Sequence, residues 1–289
     1  MSRINIERIK NKAMKKNKNV TFGYCMNYII LFFAIAMTLF PLYLMFATST
    51  KSTYQFATNF WGIQVPVQWD NYVVAWNGIG GYFFNTLKVA AMQITGTIIV
   101  SVLAAYAFAK LKFKGKDAIL LFIMMFRMIP ATLTLVPSFL NAYHLGLYNS
   151  HLGIVLPTLA GSAFMPFLLT KGFFQGLPDS IFESFRIDGA GEYDIITKLV
   201  VPLSKPIILT NALFIFFSSF GSYTWPLLMI SDDKLKTVAI GLASFSGAYG
   251  TNYGVQMAAY SIVTLILMVI VSLTMKTYVN GITAGAVKG

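Results

Sequence analysis

Five carboxylates, Asp179, Glu183, Asp188, Glu192 and Asp194, fall within Gly176–Pro206 (GLPDSIFESFRIDGAGEYDIITKLVVPLSKP), half of the ten in this 289-residue chain. Arg186, Lys198 and Lys205 accompany them, and long apolar runs flank the stretch on both sides. So many ionisable groups between membrane-length hydrophobic segments must lie outside the bilayer, where charge is not penalised. The spacing Ser180-Ile-Phe-Glu183 is that of a capping box and predicts a short helix from Ile181 to about Ile187. Asp188-Gly189 would stop it, with Gly189 at the bend because glycine adopts the left-handed backbone at low cost. A second helix, restarting near Gly191 or Glu192 with Ile195, Ile196 and Leu199 along one side, would end before Pro202. The expected product is a pair of short helices meeting at a sharp corner on the membrane surface.

The other chemistry-bearing residues are few. Arg127 is the one charge deep in an apolar span, so it must face a partner helix, backbone carbonyls or a wet cavity. Pro130 follows it and would free the carbonyl of Phe126 as an acceptor. Ser219-Phe-Gly-Ser-Tyr-Thr-Trp-Pro226 reads as an interrupted span, since non-helical backbone at membrane depth survives only within protein or beside a cavity. Phe220, Tyr223, Thr224 and Trp225, with Arg127, are therefore candidates for a translocation pathway; interface anchoring explains Tyr223 and Trp225 equally well. His144 and His151 make at best a weak metal site. No G-x4-G-K-[ST] cradle for nucleotide phosphate is present, and no carboxylate lies inside an expected span, which argues against a carrier driven by protons or sodium. No nucleophile–base arrangement stands out, which disfavours an intramembrane enzyme.

The elements that position these residues follow from hydropathy. The chain is 56% hydrophobic and only 11% charged, against about 25% charged in soluble domains. It reads as an all-α, polytopic membrane protein. The run from Tyr24 to about Phe46 is too long for a signal-peptide core and no A-x-A-like site follows, so it reads as an uncleaved first span. Five more are expected at about Phe83–Phe108, Ala118–Leu140, Gly153–Leu169, Ile207–Ile230 and Val255–Met275, each near the 20 or so residues needed to cross. Cys25 stands alone and excludes an internal disulfide.

The net charge of +12 has a topological pattern. Seventeen of the 22 Lys/Arg fall in the N-terminal tail, the 110–117 loop, the 171–205 loop and the C-terminal tail. The positive-inside rule then puts both termini and the Gly176–Pro206 loop in the cytoplasm, and it removes nucleic acid as the reason for the charge. The expected organisation is a basic cytoplasmic tail (1–22), a first span with a long external loop (23–81), a core of five spans carrying the 176–206 loop (82–280), and a short cytoplasmic tail (281–289).

The pattern Glu183-Ser184-Phe185, Gly189, Leu199-x-Val201-Pro202 resembles the E-A-A-x3-G-x9-I-x-L-P loop of ABC importer permeases. Arg-Ile-Asp-Gly-Ala at 186–190 and Thr-Ala-Gly-Ala-Val-Lys-Gly at 283–289 resemble the carbohydrate-uptake branch, in the manner of the smaller maltose-type permease. Glutamate, glycine and proline match in spacing, whereas Ser184 and Phe185 stand in place of two alanines. The resemblance implies a type I ABC importer permease fold with six spans in the cell (inner or plasma) membrane. It implies that Glu183, Ser184, Phe185, Arg186, Asp188, Gly189, Ala190 and Pro202 couple to an ATPase. It implies partners: a second related permease, two ATPase subunits that carry ATP and Mg, and an extracytoplasmic binding protein. The cargo implied is a sugar, in particular an oligosaccharide, and this chain would bind no cofactor itself. The Phe245–Tyr253 segment would be the external loop that meets the binding protein, through Ser246, Tyr249, Asn252 and Tyr253; an exposed connection is the plain alternative. A peptide or polyamine as cargo, and a secondary carrier without an ATPase, are the competing readings.

Overall fold

Long runs of Leu, Ile, Val, Phe and Ala with few breakers favour helix, and in hydrocarbon the helix satisfies each backbone group within one segment. The computed structural model describes the backbone of residues 3–248 and 252–286 and the side chains of 26–245 and 252–275. All regular structure among them is helical: α1 Arg3–Ser49, α2 Thr53–Thr58, α3 Asp70–Lys110, α4 Lys116–Arg127, α5 Ala131–His144, α6 His151–Gln175, α7 Asp179–Ile187, α8 Glu192–Leu203, α9 Lys205–Gly221, α10 Thr224–Met229, α11 Val238–Ala248 and α12 Tyr253–Ala286. Four of these are single helices long and apolar enough to cross a membrane. The count rises to six if two bent pairs, α4 with α5 and α8 with α9, each serve as one span.

The third expected span is not continuous. It breaks around Pro130, whose ring cannot continue the preceding helix, and α4 and α5 meet at 97°. The second span is longer than expected, because α3 begins at Asp70 and takes in the last part of the external loop. The fifth is interrupted, as expected, after Gly221.

The chain divides into two units. The first comprises residues 1–72 and 251–261. Its connection after α1 is ordered by polar contacts together with ring contacts among Phe40, Phe56, Phe60 and Trp61. Ser52 and Gln55 form a reciprocal capping box at the start of α2: Gln55 N donates to Ser52 Oγ (3.2 Å) and Ser52 N to Gln55 Oε1 (2.8 Å). Lys51 is fully buried, and its Nζ donates to the carbonyls of Asn59 (2.9 Å) and Phe60 (2.8 Å) just past the end of α2. Asn71 Nδ2 donates to the carbonyls of Ser49 and Lys51. Gly254 lets α12 approach this turn: a Cβ there would lie 2.1 Å from the Lys51 carbonyl oxygen.

The second unit comprises residues 73–250 and 262–289 and holds two apolar clusters. One joins Val89, Ala142, Ile154, Val155, Met229 and Ile230. The other joins Val102, Ala105 and Tyr106 of α3, Phe167 and Phe174 of α6, Phe182 of α7, and Ile195, Leu199 and Val200 of α8. The polar loop is thus packed into the same core as two of the long helices.

Burial pulls the Lys51 ammonium below its usual 10.5. The unfolded chain then holds that proton more tightly, and the first unit gains stability as pH rises from the lowered value to 10.5. Lys51→Met would strand two carbonyls and is expected to cost about 2 kcal/mol. Thermal unfolding of the purified protein, followed by the fluorescence of Trp61 and Trp69, reads this as a lowered midpoint.

Candidate functional site

The polar loop folds as two helices with a corner, though its boundaries differ from the local reading. The helix starts after Pro178 (φ −60°, ψ 133°), so Asp179 opens it and Ser180 sits within its first turn. The expected Ser180–Glu183 capping box does not form, and Glu183 faces outward. The reason is tertiary: Lys110, at the end of α3, donates to the Leu177 carbonyl (2.8 Å) and to Asp179 Oδ1 (2.5 Å), fixing the chain just where the helix begins. A carboxylate in a first helical turn is also favoured by the helix dipole.

The other end matches expectation. Gly189 has φ +81°, its N–H donates to the Arg186 carbonyl (3.1 Å), and Ala190 N–H donates to that of Phe185 (3.0 Å). These are the two bonds of a Schellman stop, with Phe185 and Ala190 both against the apolar cluster. Beyond it α8 runs through Pro202 to Leu203 rather than ending before it. A wider π turn over Ile195–Val200, in which Val201 N–H reaches back to the Ile196 carbonyl, precedes the proline. Ile195, Leu199 and Val200 are buried, whereas Pro202 is exposed.

Three residues outside the expected set hold α7 in place. Tyr106 and Lys110 lie four apart on α3 and so share one face. Lys110 secures the start of α7 and lies 4.7 Å from the Phe182 ring centroid. Tyr106 stacks on the same ring (6.3 Å, 28°) and its hydroxyl donates to Glu192 Oε2. Arg186 Nη2 joins both, at 3.4 Å from Tyr106 Oη and 3.2 Å from Glu192 Oε1. Tyr106 had been concealed in an apolar run, and Lys110 in a basic cluster that topology already explained. The hydrogen bond from Lys110, then its charge, holds the Asp179 carboxyl below the usual carboxylate range. That stabilisation is present above pH 3.8 and is lost only as pH falls through the lowered value, so the tie persists at neutral pH.

With Phe182 turned inward, α7 presents Ser180, Glu183, Ser184 and Ile187 outward. Ile187 is 85% exposed and Tyr193 of α8 is 79% exposed. Both ends of the corner thus carry an apolar side chain that no other described part of the chain covers.

The expected pathway residues do not form one group. The Arg127 guanidinium lies over the Phe164 ring of α6, 5.2 Å from its centroid, and the Phe126 carbonyl is instead met by the backbone of Met128 and Ile129. Phe220 is buried against Phe83 and Phe216. Tyr223 and Thr224 are exposed. Trp225 Nε1 donates to the Gly153 carbonyl (3.2 Å), an acceptor left open because Pro157 has no N–H to return to it. Of the external-loop residues, Asn252 Oδ1 accepts from Val255 N–H (3.3 Å) at the start of α12, and the Tyr253 ring lies against Phe56 (4.7 Å). Tyr249 and the side chain of Ser246 lie outside the described residues. His151 Nε2 is 3.0 Å from the Leu235 carbonyl oxygen, and among the described residues no cluster of three metal-ligating side chains exists.

Residues 96–280 match the family described as binding-protein-dependent transport system inner membrane component. The chain is 32% identical over 209 residues to the trehalose/maltose transport system permease protein MalG of Thermococcus litoralis, covering 72% of this chain and 75% of that one. It is 30% identical over 266 residues to the sn-glycerol-3-phosphate transport system permease protein UgpE of Yersinia enterocolitica, covering 88% and 94%. A chain in the crystal structure of a bacterial ABC transporter that imports the acidic polysaccharide alginate shares the fold, with a TM-score of 0.77 at 23% identity over 89% of this chain and 96% of that one.

No neighbouring atom lies within 4 Å of a Cβ built on Gly189. Gly189→Val should therefore meet no packed neighbour at its Cβ and cost the left-handed backbone penalty of a β-branched residue, above the roughly 1–2 kcal/mol of an unbranched one. Gly191, at φ −75°, provides the contrast. Limited trypsin digestion of membranes should cut at Arg186 faster in Gly189→Val and at the parent rate in Gly191→Ala.

Proposed function

Because this chain belongs to the family of binding-protein-dependent transport system inner membrane components, we propose that it is a permease subunit of an ATP-driven sugar importer. Its function is to couple nucleotide-driven closure of a partner ATPase to movement of the helices that line the passage. The observation that carries the proposal is the geometry of α7: one face is packed into the core through Phe182, and the opposite face offers Glu183, Ser184 and Ile187. A helix held this way moves as a body with α3, α6 and α8, so force applied to its outer face reaches α3 directly and not only the spans adjoining it in sequence.

The sugar assignment draws on the trehalose/maltose relative. The relative named for sn-glycerol 3-phosphate supports that solute as the second reading. The expected assembly adds a second related permease, two ATPase subunits that bind ATP and Mg, and an extracytoplasmic binding protein. The expected orientation, from the charge distribution, has both termini and α7 in the cytoplasm. Glu183, Ser184, Ile187 and Asp188 would meet the ATPase, whereas Arg186 and Gly189 would hold the helix that presents them. Asn252 and Tyr253 remain candidates for contact with the binding protein.

Ile187→Asp puts a charge on the exposed knob without entering the core. Loss of one central interface contact of this kind is worth about tenfold or more. In membrane vesicles carrying the assembled transporter, Ile187→Asp and Glu183→Ala should lower ATP-dependent uptake by about that factor. Membrane levels, read by immunoblot, should stay at the parent value. Uptake at the parent rate in both variants would remove α7 as the coupling element.

A further inference from the structure

Away from the surface loop, polar side chains of three helices converge midway along α6. Gln93 of α3 donates through Nε2 to Ser162 Oγ (3.1 Å) and Thr158 Oγ1 (3.3 Å), and its Oε1 accepts from Ser219 Oγ of α9 (3.1 Å). Beside this group is a cavity of about 300 Å³ bordered by Gln93, Ser162, Asn211, Phe214 and Ser218. Asn211 is 2% exposed. Its Nδ2 donates to Thr170 Oγ1 (3.0 Å) and, at 3.4 Å, to the Pro166 carbonyl, while its Oδ1 has no hydrogen-bond partner. A buried amide oxygen left unmatched is unfavourable, and this one belongs to a residue on the cavity wall.

We infer that this cavity is a transient binding site for a neutral, hydroxyl-rich solute, with Asn211 Oδ1 and Ser162 Oγ accepting from its hydroxyls. The inference rests on the chain being a sugar-import permease and locates where in this subunit the sugar would be held. The chemistry of the wall selects the ligand. Ser162 Oγ already donates to the Thr158 carbonyl (2.5 Å) and accepts from Gln93, which leaves one lone pair to offer. The lining has no Lys or Arg for a phosphate or carboxylate and no Asp or Glu for an amine. Amides and hydroxyls fix the orientation of a small ligand in a largely apolar pocket. The site is distinct from the aromatic stretch Tyr223–Trp225, whose indole N–H is engaged by Gly153. α3 contributes both Gln93 here and the Tyr106–Lys110 face that holds α7, so displacement of α7 moves one wall of this cavity.

The test uses single cysteines in a Cys25→Ser background, in the purified assembled transporter held with ATP, vanadate and binding protein. Ser162→Cys and Ser218→Cys should react with the water-soluble sulfonatoethyl methanethiosulfonate, whereas Ala163→Cys, adjacent but buried, should not. Trehalose, maltotriose and arabinotriose are first assayed for uptake beside sn-glycerol 3-phosphate. An imported neutral sugar, at ten times its half-saturating level, should slow both labelling reactions by about tenfold. Asn211→Leu should lower uptake of that sugar by a similar factor. If a neutral sugar is imported but neither cysteine reacts, or the sugar leaves labelling unchanged, the cavity is not its site and the permease reading stands. If none of the three sugars is imported, the sugar reading falls and this site falls with it, whether or not glycerol phosphate is taken up.

Discussion

The attachment of α7 to one face of α3 organises the polar loop and the helices it packs against. Tyr106 and Lys110, one helical turn apart, reach the two ends of a nine-residue helix and enclose its inward ring, Phe182, between them. Each contact is modest alone, since a net hydrogen bond contributes about 1 kcal/mol. Together with the apolar cluster they set the rotation of α7 about its own axis. That rotation decides which residues face out. Were Phe182 turned outward, Ile187 would be carried toward the core and α7 would present a different set of side chains. The loop is therefore part of the core of its unit.

Prolines supply a second organising constraint. Each proline within a long apolar helix withholds a backbone N–H, and the acceptor it abandons must be satisfied inside the protein. At Pro157 the answer is the indole of Trp225, which ties α10 to α6. At Pro130 it is a full break, closed by local bonds to Met128 and Ile129 and followed by a 97° change of direction. At Pro202 it is a widened turn that lets α8 pass through the proline before bending at Ser204 into α9. At Pro157 and Pro130 the freed acceptors are thus satisfied one carbonyl at a time. The polar group around Gln93 does the same with side chains, since hydroxyl and amide partners from α3, α6 and α9 satisfy one another where lipid could not.

The local signals at Ser52 and Ser180 show where short-range spacing stops deciding structure. Ser52-x-x-Gln55 and Ser180-x-x-Glu183 have the same spacing, yet only the first closes into a capping box. At Ser52 the neighbouring contacts, from Asn71 to the Lys51 carbonyl and from Lys51 to the end of α2, leave the cap pair in place. At Ser180 the Lys110 side chain pins Leu177 and Asp179, and the helix starts earlier. The Gly189 stop, by contrast, was legible because it depends on backbone conformation, and glycine reaches φ +81° without the steric cost a Cβ would bring.

By itself, then, the order of residues determined the helical class, the polarity of the loop and the position of its corner. Each of these follows from hydropathy, charge or backbone sterics acting over a few neighbouring residues. Only the tertiary structure decided which face of α7 is outward, that Tyr106, Lys110 and Glu192 belong to the candidate site, and that Gln93, Ser162 and Asn211 share one cavity. These partners are separated by tens of residues, and what brings them together is the packing of α3 against α6, α7 and α9. A short-range reading saw Tyr106 as one more apolar residue in a span and Lys110 as one more positive charge beside it. Contact with a helix some seventy residues later gives each its specific role.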